Sequence, residues 1–304
     1  FLPLMPKTAA EPPVLDNQRC YVDRWGIERR LPEDGGHYYV SQPPLGAAEM
    51  SSDLRAFAWP EPQRDWSNLG ALARALHHAT TKALVLNLEV GFLNQTQFLR
   101  GFDRWLIDLA GSSAFAQELM DRVLDIWLAE AEAMINATKS YADVVIYADD
   151  IAFQDRPMVS PRMYRELLKP RQKRVFDLLA GCGMTVLYHS CGDVWSLLPE
   201  LVDMGVQALN PIQVSAGRMG NTAELKKEWG NELTFWGGID THHILPHGST
   251  QAVHKETWRR FDDLAHDGGY VLATVHNIQP DTPPANVCAL FDAADGWSKW
   301  QKLK

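Results

Sequence analysis

A regular alternation of apolar runs and amphipathic stretches, beginning near residue 83, is the feature that most restricts the fold of this 304-residue chain. The apolar runs have the length of strands, and the stretches between them carry residues that start and stop helices. This alternation indicates βα units around a parallel sheet. The predicted strands are residues 83–89, 143–149, 184–189, 208–213, 233–240 and 270–276.

A further apolar run at residues 1–5 and a first strand expected before Phe1 would bring the six strands to eight. Eight units predict an α/β fold of the (β/α)8 TIM barrel type, with an open doubly wound sheet as the alternative. We expect one domain over residues 1–304, in which residues 81–304 form the βα repeats. Residues 1–80 contain Pro-rich patches at 11–13, 42–44 and 59–62 and a hairpin-like segment near 21–30. We expect them to form an excursion over one rim.

The charge of the chain argues against a nucleic-acid partner. Its net charge is −9, and its Lys and Arg residues are scattered rather than concentrated in a basic patch. The apolar runs are short and interrupted by charges, and no leader-like segment is evident, so we expect no membrane span and a cytoplasmic location. Four cysteines are too few for a disulfide scaffold in a chain of this length and predict reduced thiols.

Side chains that bind metals or transfer protons stand at the ends of the predicted strands. They are Glu89, Asp149, Asp150, His189, Cys191, Gln213, Asp240 and His276. Ordinary loops are dominated by Gly, Asn and Ser instead. In a barrel these strand ends meet on one rim, where catalytic residues lie. The sequence therefore predicts a functional site at that rim.

Two of these strand ends offer ligands for a metal. One residue separates His189 from Cys191, so their side chains project from the same face of a strand. His276 ends a second strand. Imidazole and thiolate are zinc ligands, and three protein ligands leave one position open in a catalytic site. We therefore expect His189, Cys191 and His276 to hold zinc. The alternative is a buried cysteine beside a hydrogen-bonded histidine.

The remaining strand-end residues can have a structural or a functional role. Asp149 and Asp150 either cap the following loop or pair with Arg156, or they contact substrate. Gln213 either orients a substrate or satisfies backbone groups, and Glu89 is either a fourth metal ligand or a salt-bridge partner. Asp240 follows two glycines that permit close approach of a ligand, which favours a functional role.

Five segments form a combination that is more specific than any one of them. They are Tyr188-His-Ser-Cys-Gly192, Leu209-Asn-Pro-Ile-Gln213, Phe235-Trp-Gly-Gly-Ile-Asp240, Thr274-Val-His-Asn-Ile-Gln-Pro280 and Thr282-Pro-Pro-Ala-Asn286. This combination resembles the uroporphyrinogen decarboxylase superfamily, and within it the branch related to cobalamin-dependent methyltransferases.

The resemblance implies a (β/α)8 barrel and, in the methyltransferase branch, zinc held by a His-x-Cys pair and a later Cys. His189 and Cys191 match the pair, whereas His276 stands at the position of the later Cys. It also implies methyl transfer between a small substrate, of thiol, methoxy or methylamine type, and a corrinoid carried by a partner protein. Asp240 and Asp150 would orient substrate or relay a proton, and Gln213 would be a neutral hydrogen-bond partner. Relatives dimerise, so a homodimer is a further expectation.

The alternative within the same superfamily is a metal-free decarboxylase of a porphyrinogen-like or other acidic substrate. Tetrapyrrole decarboxylases depend on an Arg-rich N-terminal segment and on an Asp that anchors the pyrrole nitrogens. The His-x-Cys pair is not part of that pattern, and the sequence offers no clear equivalent of the Asp. The motifs therefore favour methyl transfer.

Overall fold

The computed structural model describes residues 1–6, 19–33, 38–111 and 114–301. Strands and helices alternate along most of this length. In chain order they are β1 (Leu2–Leu4), β2 (Cys20–Val22), β3 (Glu28–Arg30), β4 (Tyr39–Gln42), α1 (Ser51–Ala56), α2 (Ser67–Ala79), β5 (Leu84–Val90), α3 (Phe92–Arg100), α4 (Phe102–Ala110), α5 (Ala114–Thr138), β6 (Val144–Ala148), α6 (Pro161–Met163), α7 (Lys169–Ala180), β7 (Thr185–His189), α8 (Leu198–Asp203), β8 (Ala208–Ile212), α9 (Thr222–Trp229), β9 (Thr234–Ile239), α10 (Ile244–His247), α11 (Thr250–Leu264), β10 (Tyr270–Thr274) and α12 (Pro284–Gln301).

The chain forms two compact units. The first, unit 1, comprises Phe1–Asp149 and Arg165–Thr185. In it β1 pairs with β5 and β5 with β6, all in parallel, and helices α2 and α5 pack on each other. A separate antiparallel sheet joins β2, β3 and β4, which confirms the predicted hairpin.

The second, unit 2, comprises Asp150–Tyr164 and Val186–Lys304. Its strands pair in parallel in the order β7, β8, β9, β10, so neighbours in sequence are neighbours in the sheet. Helix α11 packs on α9 and α12. Buried Ile239, Leu245, Val253 and Leu290 form a core cluster that joins these strands to their helices.

The structure confirms the predicted βα order. Each predicted strand is present, with ends within two residues of the expected ones, and the run at residues 1–5 contains β1. The Pro-rich patch at 11–13 lies outside the described residues. The organisation of residues 1–304 as a single domain stays a prediction.

Two local sequence signals shape the helices. The Ser160 hydroxyl accepts a hydrogen bond from the Met163 backbone N–H, which caps the short helix α6. Pro170 lies in the first turn of α7, directly after a π-helical turn at Tyr164–Leu168, so the regular α-helix is interrupted next to this proline. Within the described ranges, no helix is both long enough and apolar enough to cross a bilayer.

Candidate metal site

Three potential metal ligands converge in unit 2. His189 is the last residue of β7, Cys191 follows it by two positions, and Asp150 is the first residue of the unit. One ligand atom from each lies within 4.8 Å of the others, and the His189 Nε2 and Cys191 Sγ atoms are 3.7 Å apart. The pair comes together because residues i and i+2 of an extended chain project from the same face.

The imidazole of His189 is held by an amide. Its Nδ1 atom lies 2.5 Å from the Asn210 Oδ1 atom, and the Asn210 amide nitrogen donates to the carbonyl of Trp236 at 3.4 Å. With the Asn210 oxygen directed at the ring, Nδ1 carries the proton and Nε2 keeps a lone pair next to the Cys191 sulfur. This is the arrangement found around metal-binding histidines, whose second nitrogen donates to a fixed acceptor.

Two side chains fix the backbone of the loop that carries Cys191. The Cys191 N–H donates to Asp150 Oδ1 at 2.7 Å, and the Gly192 N–H donates to Gln213 Oε1 at 2.7 Å. The Gln213 amide nitrogen in turn donates to Gln154 Oε1 at 2.9 Å. Both loop N–H groups are thus satisfied, and the thiol is held in one place.

The loop packs so closely that only glycine fits after Cys191. Gly192 has a φ of +92°, and a Cβ atom there would lie 2.5 Å from the Phe153 carbonyl oxygen and 2.6 Å from that of Ala152. The backbone of Asp193 also donates to the Phe153 carbonyl at 2.8 Å. The close approach therefore depends on the missing side chain.

Burial and charge both act on the thiol of Cys191. Burial, and then the neighbouring Asp150 carboxylate, raise its pKa to about 12. The free thiol is therefore protonated at neutral pH, and a bound cation would have to displace this proton.

The donor set fits zinc. One nitrogen, one sulfur and one carboxylate oxygen are the atom types that zinc binds, and their mutual distances allow them to reach one ion. Among the residues that the structure describes, neither His276 nor Glu89 belongs to this cluster of ligand atoms within 4.8 Å of one another. His276 is exposed just after β10, and Glu89 lies in unit 1. The assignment of zinc to His189, Cys191 and His276 stays a prediction, and Asp150 is an additional candidate ligand.

The carboxylate of Asp240 organises a turn. It is buried, and its Oδ1 atom accepts hydrogen bonds from the backbone N–H groups of His242 at 2.7 Å and His243 at 3.2 Å. This is a local capping pattern. The His242 ring lies 3.1 Å from the hydroxyl of Ser215, a residue that also contacts Gln213. The catalytic role expected for Asp240 stays a prediction.

The neighbouring aspartates, Asp149 and Asp150, have different surroundings. Asp149 accepts hydrogen bonds from the backbone of Leu93 and Asn94 and from the Tyr147 hydroxyl, so it caps the start of α3. Asp150 belongs to the ligand cluster. The arginine nearest in sequence, Arg156, pairs with Asp155 at 2.8 Å.

Sequence reasoning missed the role of Asn210. The residue was quoted only as part of a motif, yet it supplies the partner of the His189 ring. The sequence carries no signal for this contact, because it depends on the register of the parallel pairing of β7 with β8, which places His189 opposite Asn210.

Comparison with known proteins gives a consistent family. A family model described as "Uroporphyrinogen decarboxylase (URO-D)" matches residues 26–297. The methylcobamide:CoM methyltransferase MtaA of Methanosarcina barkeri is 32% identical over 180 residues, which are 59% of this chain and 49% of that protein. MtbA of Methanosarcina mazei, with the same enzyme name, is 22% identical over 239 residues, 77% of this chain and 65% of that protein. The chain thus spans about half the length of MtaA and under two thirds of MtbA.

A solved structure shows the fold. A methyltransferase from Methanosarcina mazei superimposes with a TM-score of 0.65 at 21% identity, covering 91% of this chain and 77% of that one. The predicted α/β fold of the (β/α)8 type is confirmed.

Proposed function

Because the chain belongs to the uroporphyrinogen decarboxylase (URO-D) family, we propose that it is a zinc-dependent methyltransferase. It would move a methyl group between a small substrate, of thiol, methoxy or methylamine type, and a corrinoid carried by a partner protein. Two of its relatives are named as methylcobamide:CoM methyltransferases, which supports this reaction class over decarboxylation.

One observation carries the proposal. A nitrogen, a sulfur and an oxygen donor from His189, Cys191 and Asp150 converge within 4.8 Å, and their loop is held by dedicated hydrogen bonds. A buried cysteine that only filled space would need no histidine with a fixed tautomer beside it.

Each residue of the site has a defined task in this proposal. Asn210 keeps the proton of His189 on Nδ1, so that Nε2 is free to bind zinc. Gln213 holds the Gly192 N–H, and Asp150 holds the Cys191 N–H. Bound zinc would supply an electrophilic centre with an open position, which lowers the pKa of a thiol substrate.

The third protein ligand is either Asp150 or His276. Asp150 already lies in the cluster, whereas His276 is the ligand expected from the sequence. We propose that Asp240, and Asp150 where it does not bind zinc, orient the substrate or relay a proton. Self-association as a homodimer and a cytoplasmic location belong to the same proposal.

Zinc content and methyl transfer together test the proposal. We expect about one zinc per chain, lost in Cys191→Ala but retained in Cys182→Ala, which removes another buried thiol. We also expect zinc-dependent demethylation of methylcobalamin with mercaptoethanol as the thiol probe, followed by absorbance. Retention of zinc by Cys191→Ala would contradict the site.

Two further variants identify the third ligand. If Asp150 binds zinc, Asp150→Asn weakens zinc binding more than His276→Ala does, and the reverse order identifies His276. Carbon dioxide release from a porphyrinogen by zinc-free protein, without methyl transfer, would support the decarboxylase alternative.

A further inference from the structure

A cavity of about 440 Å³ lies entirely within unit 1. This volume is in the range of small-molecule sites. Its walls come from the β2–β3 hairpin, the end of β5, and helices α3 and α5. The residues that matter for its chemistry are Tyr21, Trp25, Trp66, Glu89, Gln95 and Trp127.

Among the charged side chains that line the cavity, the two arginines are each paired with a carboxylate, and one further carboxylate is not. Arg29 pairs with Asp23 at 2.8 Å, and Arg24 pairs with Glu130 at 2.5 Å. Each guanidinium is therefore neutralised by its own partner. In the described part of the chain, the Glu89 carboxylate makes no ion pair or hydrogen bond. Desolvation by the surrounding atoms raises the pKa of this carboxyl, and the charge of Arg24 opposes the shift. Part of the Glu89 side chain remains exposed to solvent, where a ligand can reach it.

The backbone of Glu89 is held in an unusual conformation. Its φ is +62°, in the left-handed region that residues other than glycine rarely adopt. The Asn87 side chain accepts a hydrogen bond from the Glu89 N–H at 2.8 Å, and the pairing of β5 with β6 shifts register between Asn87 and Val90. Such irregularities re-aim side chains near binding sites. Here the irregularity directs Glu89 to the cavity.

The indole N–H groups of two wall tryptophans are already hydrogen-bonded. The Trp66 indole N–H donates to the Gln63 carbonyl at 3.1 Å, and the Trp127 N–H donates to the Val90 carbonyl at 3.0 Å. With these donors occupied, what Trp66 and Trp127 have left for a ligand is the apolar π surface of the ring, and such surfaces attract cations. The Trp25 ring already has the Arg24 guanidinium over it, 5.5 Å from its centroid.

One buried donor in the wall lacks a partner. Gln95 is 7% exposed, and its amide nitrogen has no hydrogen-bond partner among the described residues. Buried amide donors are almost always satisfied, so this group needs an acceptor. A ligand with an oxygen atom would supply one.

We propose that this cavity binds a small organic ammonium ion that also carries an oxygen acceptor. Glu89 is the counter-ion, the rings of Trp66 and Trp127 contact the cation, and Gln95 donates to the oxygen. An anion is disfavoured because it would meet the one unpaired carboxylate, while both arginines are already engaged. The site uses residues of unit 1 alone and does not depend on the proposed zinc chemistry.

The first experiment compares two ligands on the unaltered protein. Choline is the cationic probe, and its neutral isostere, with carbon in place of nitrogen, has the same shape. We expect choline to bind at least about tenfold more tightly, by calorimetry and by tryptophan fluorescence. Equal affinities, or no binding of choline, would overturn the proposal whatever the behaviour of any variant.

Two variants then assign the contacts. Glu89→Gln should weaken choline binding about tenfold, whereas Glu132→Gln, which removes the same charge from an exposed position on α5, should leave it unchanged. Gln95→Leu should weaken choline but not tetramethylammonium, which has no oxygen. Equal effects of the two glutamate variants would overturn the role of Glu89. Equal effects of Gln95→Leu on both cations would overturn the role of Gln95.

Discussion

The replacement of Gly192 by alanine tests how the structure holds the cysteine of the candidate metal site. At a φ of +92°, alanine costs about 1–2 kcal/mol because of backbone strain alone. The new Cβ would also lie 2.5 Å and 2.6 Å from two backbone carbonyl oxygens, so the loop must move. Overpacking of this kind adds about 1–3 kcal/mol. We therefore expect Gly192→Ala to lower the free energy of unfolding by roughly 3 kcal/mol in total.

Gly205 provides the matched control. Its φ is +97°, but a Cβ atom there would meet nothing within 4 Å. Gly205→Ala should therefore lose only the backbone part, about 1–2 kcal/mol. Urea unfolding measures both variants, and competition with a chromophoric chelator measures zinc. Only Gly192→Ala should also weaken zinc binding, by at least about tenfold. If both variants lose the same stability and keep the same zinc affinity, the contact does not position Cys191.

Three further predictions concern unit 2, to which both glycines belong. Asn210→Ala should weaken zinc binding about 10–100-fold, measured by chelator competition, because it frees the ring of His189 to rotate. Asn231→Ala, which removes an exposed amide, should leave the affinity unchanged. Equal zinc affinities of the two variants would show that Asn210 does not support the metal site. Because the pKa of the Cys191 thiol is raised to about 12, zinc binding releases its proton, and the association constant should rise about tenfold per pH unit from neutral to mildly alkaline pH. A flat profile in buffered titrations would show that the thiol does not bind. Glu256→Gln should lower the free energy of unfolding, measured by urea denaturation, by roughly 3 kcal/mol, because the buried Arg260 guanidinium loses the carboxylate that lies 2.5 Å from it. A loss below about 1 kcal/mol would mean that water replaces the carboxylate.

Much of the fold could be predicted from local pattern. The strand at residues 184–189 was expected from an apolar run, and β7 occupies Thr185–His189. Such runs are reliable because buried parallel strands need apolar side chains on both faces. The proline at position 170 could also be interpreted locally, since its ring excludes it from a helix interior.

The candidate site was predictable only in part. The convergence of His189 with Cys191 follows from strand periodicity, because their spacing is two residues. The place of Asp150 beside them depends on a loop whose path no periodicity encodes. Gln213 could be interpreted as a substrate contact or a backbone partner, and the structure shows it holding the Gly192 N–H. Partners of this kind depend on which segments the fold brings together.

The cavity of unit 1 was beyond sequence reasoning. Nothing in the spacing of the tryptophans along the chain shows which of them line a common cavity. Glu89 was considered as a metal ligand or a salt-bridge partner, since its position at a strand end gave no further information. The direction of the Glu89 side chain is set by its left-handed backbone and by the hydrogen bond to Asn87. Neither can be inferred from the residue types alone.

The turn of the hairpin that walls this cavity is held largely by bonds within its own sequence, apart from the Arg24–Glu130 pair to α5. The Asp23 carboxylate accepts hydrogen bonds from the backbone of Trp25 and Ile27, and it pairs with Arg29, all within seven consecutive residues. A short exchange of sequence in this segment would therefore remodel one side of the chamber without disturbing the parallel strands. The ligand preference of the cavity could then be changed by replacing this one segment, with the sequence of the parallel strands kept.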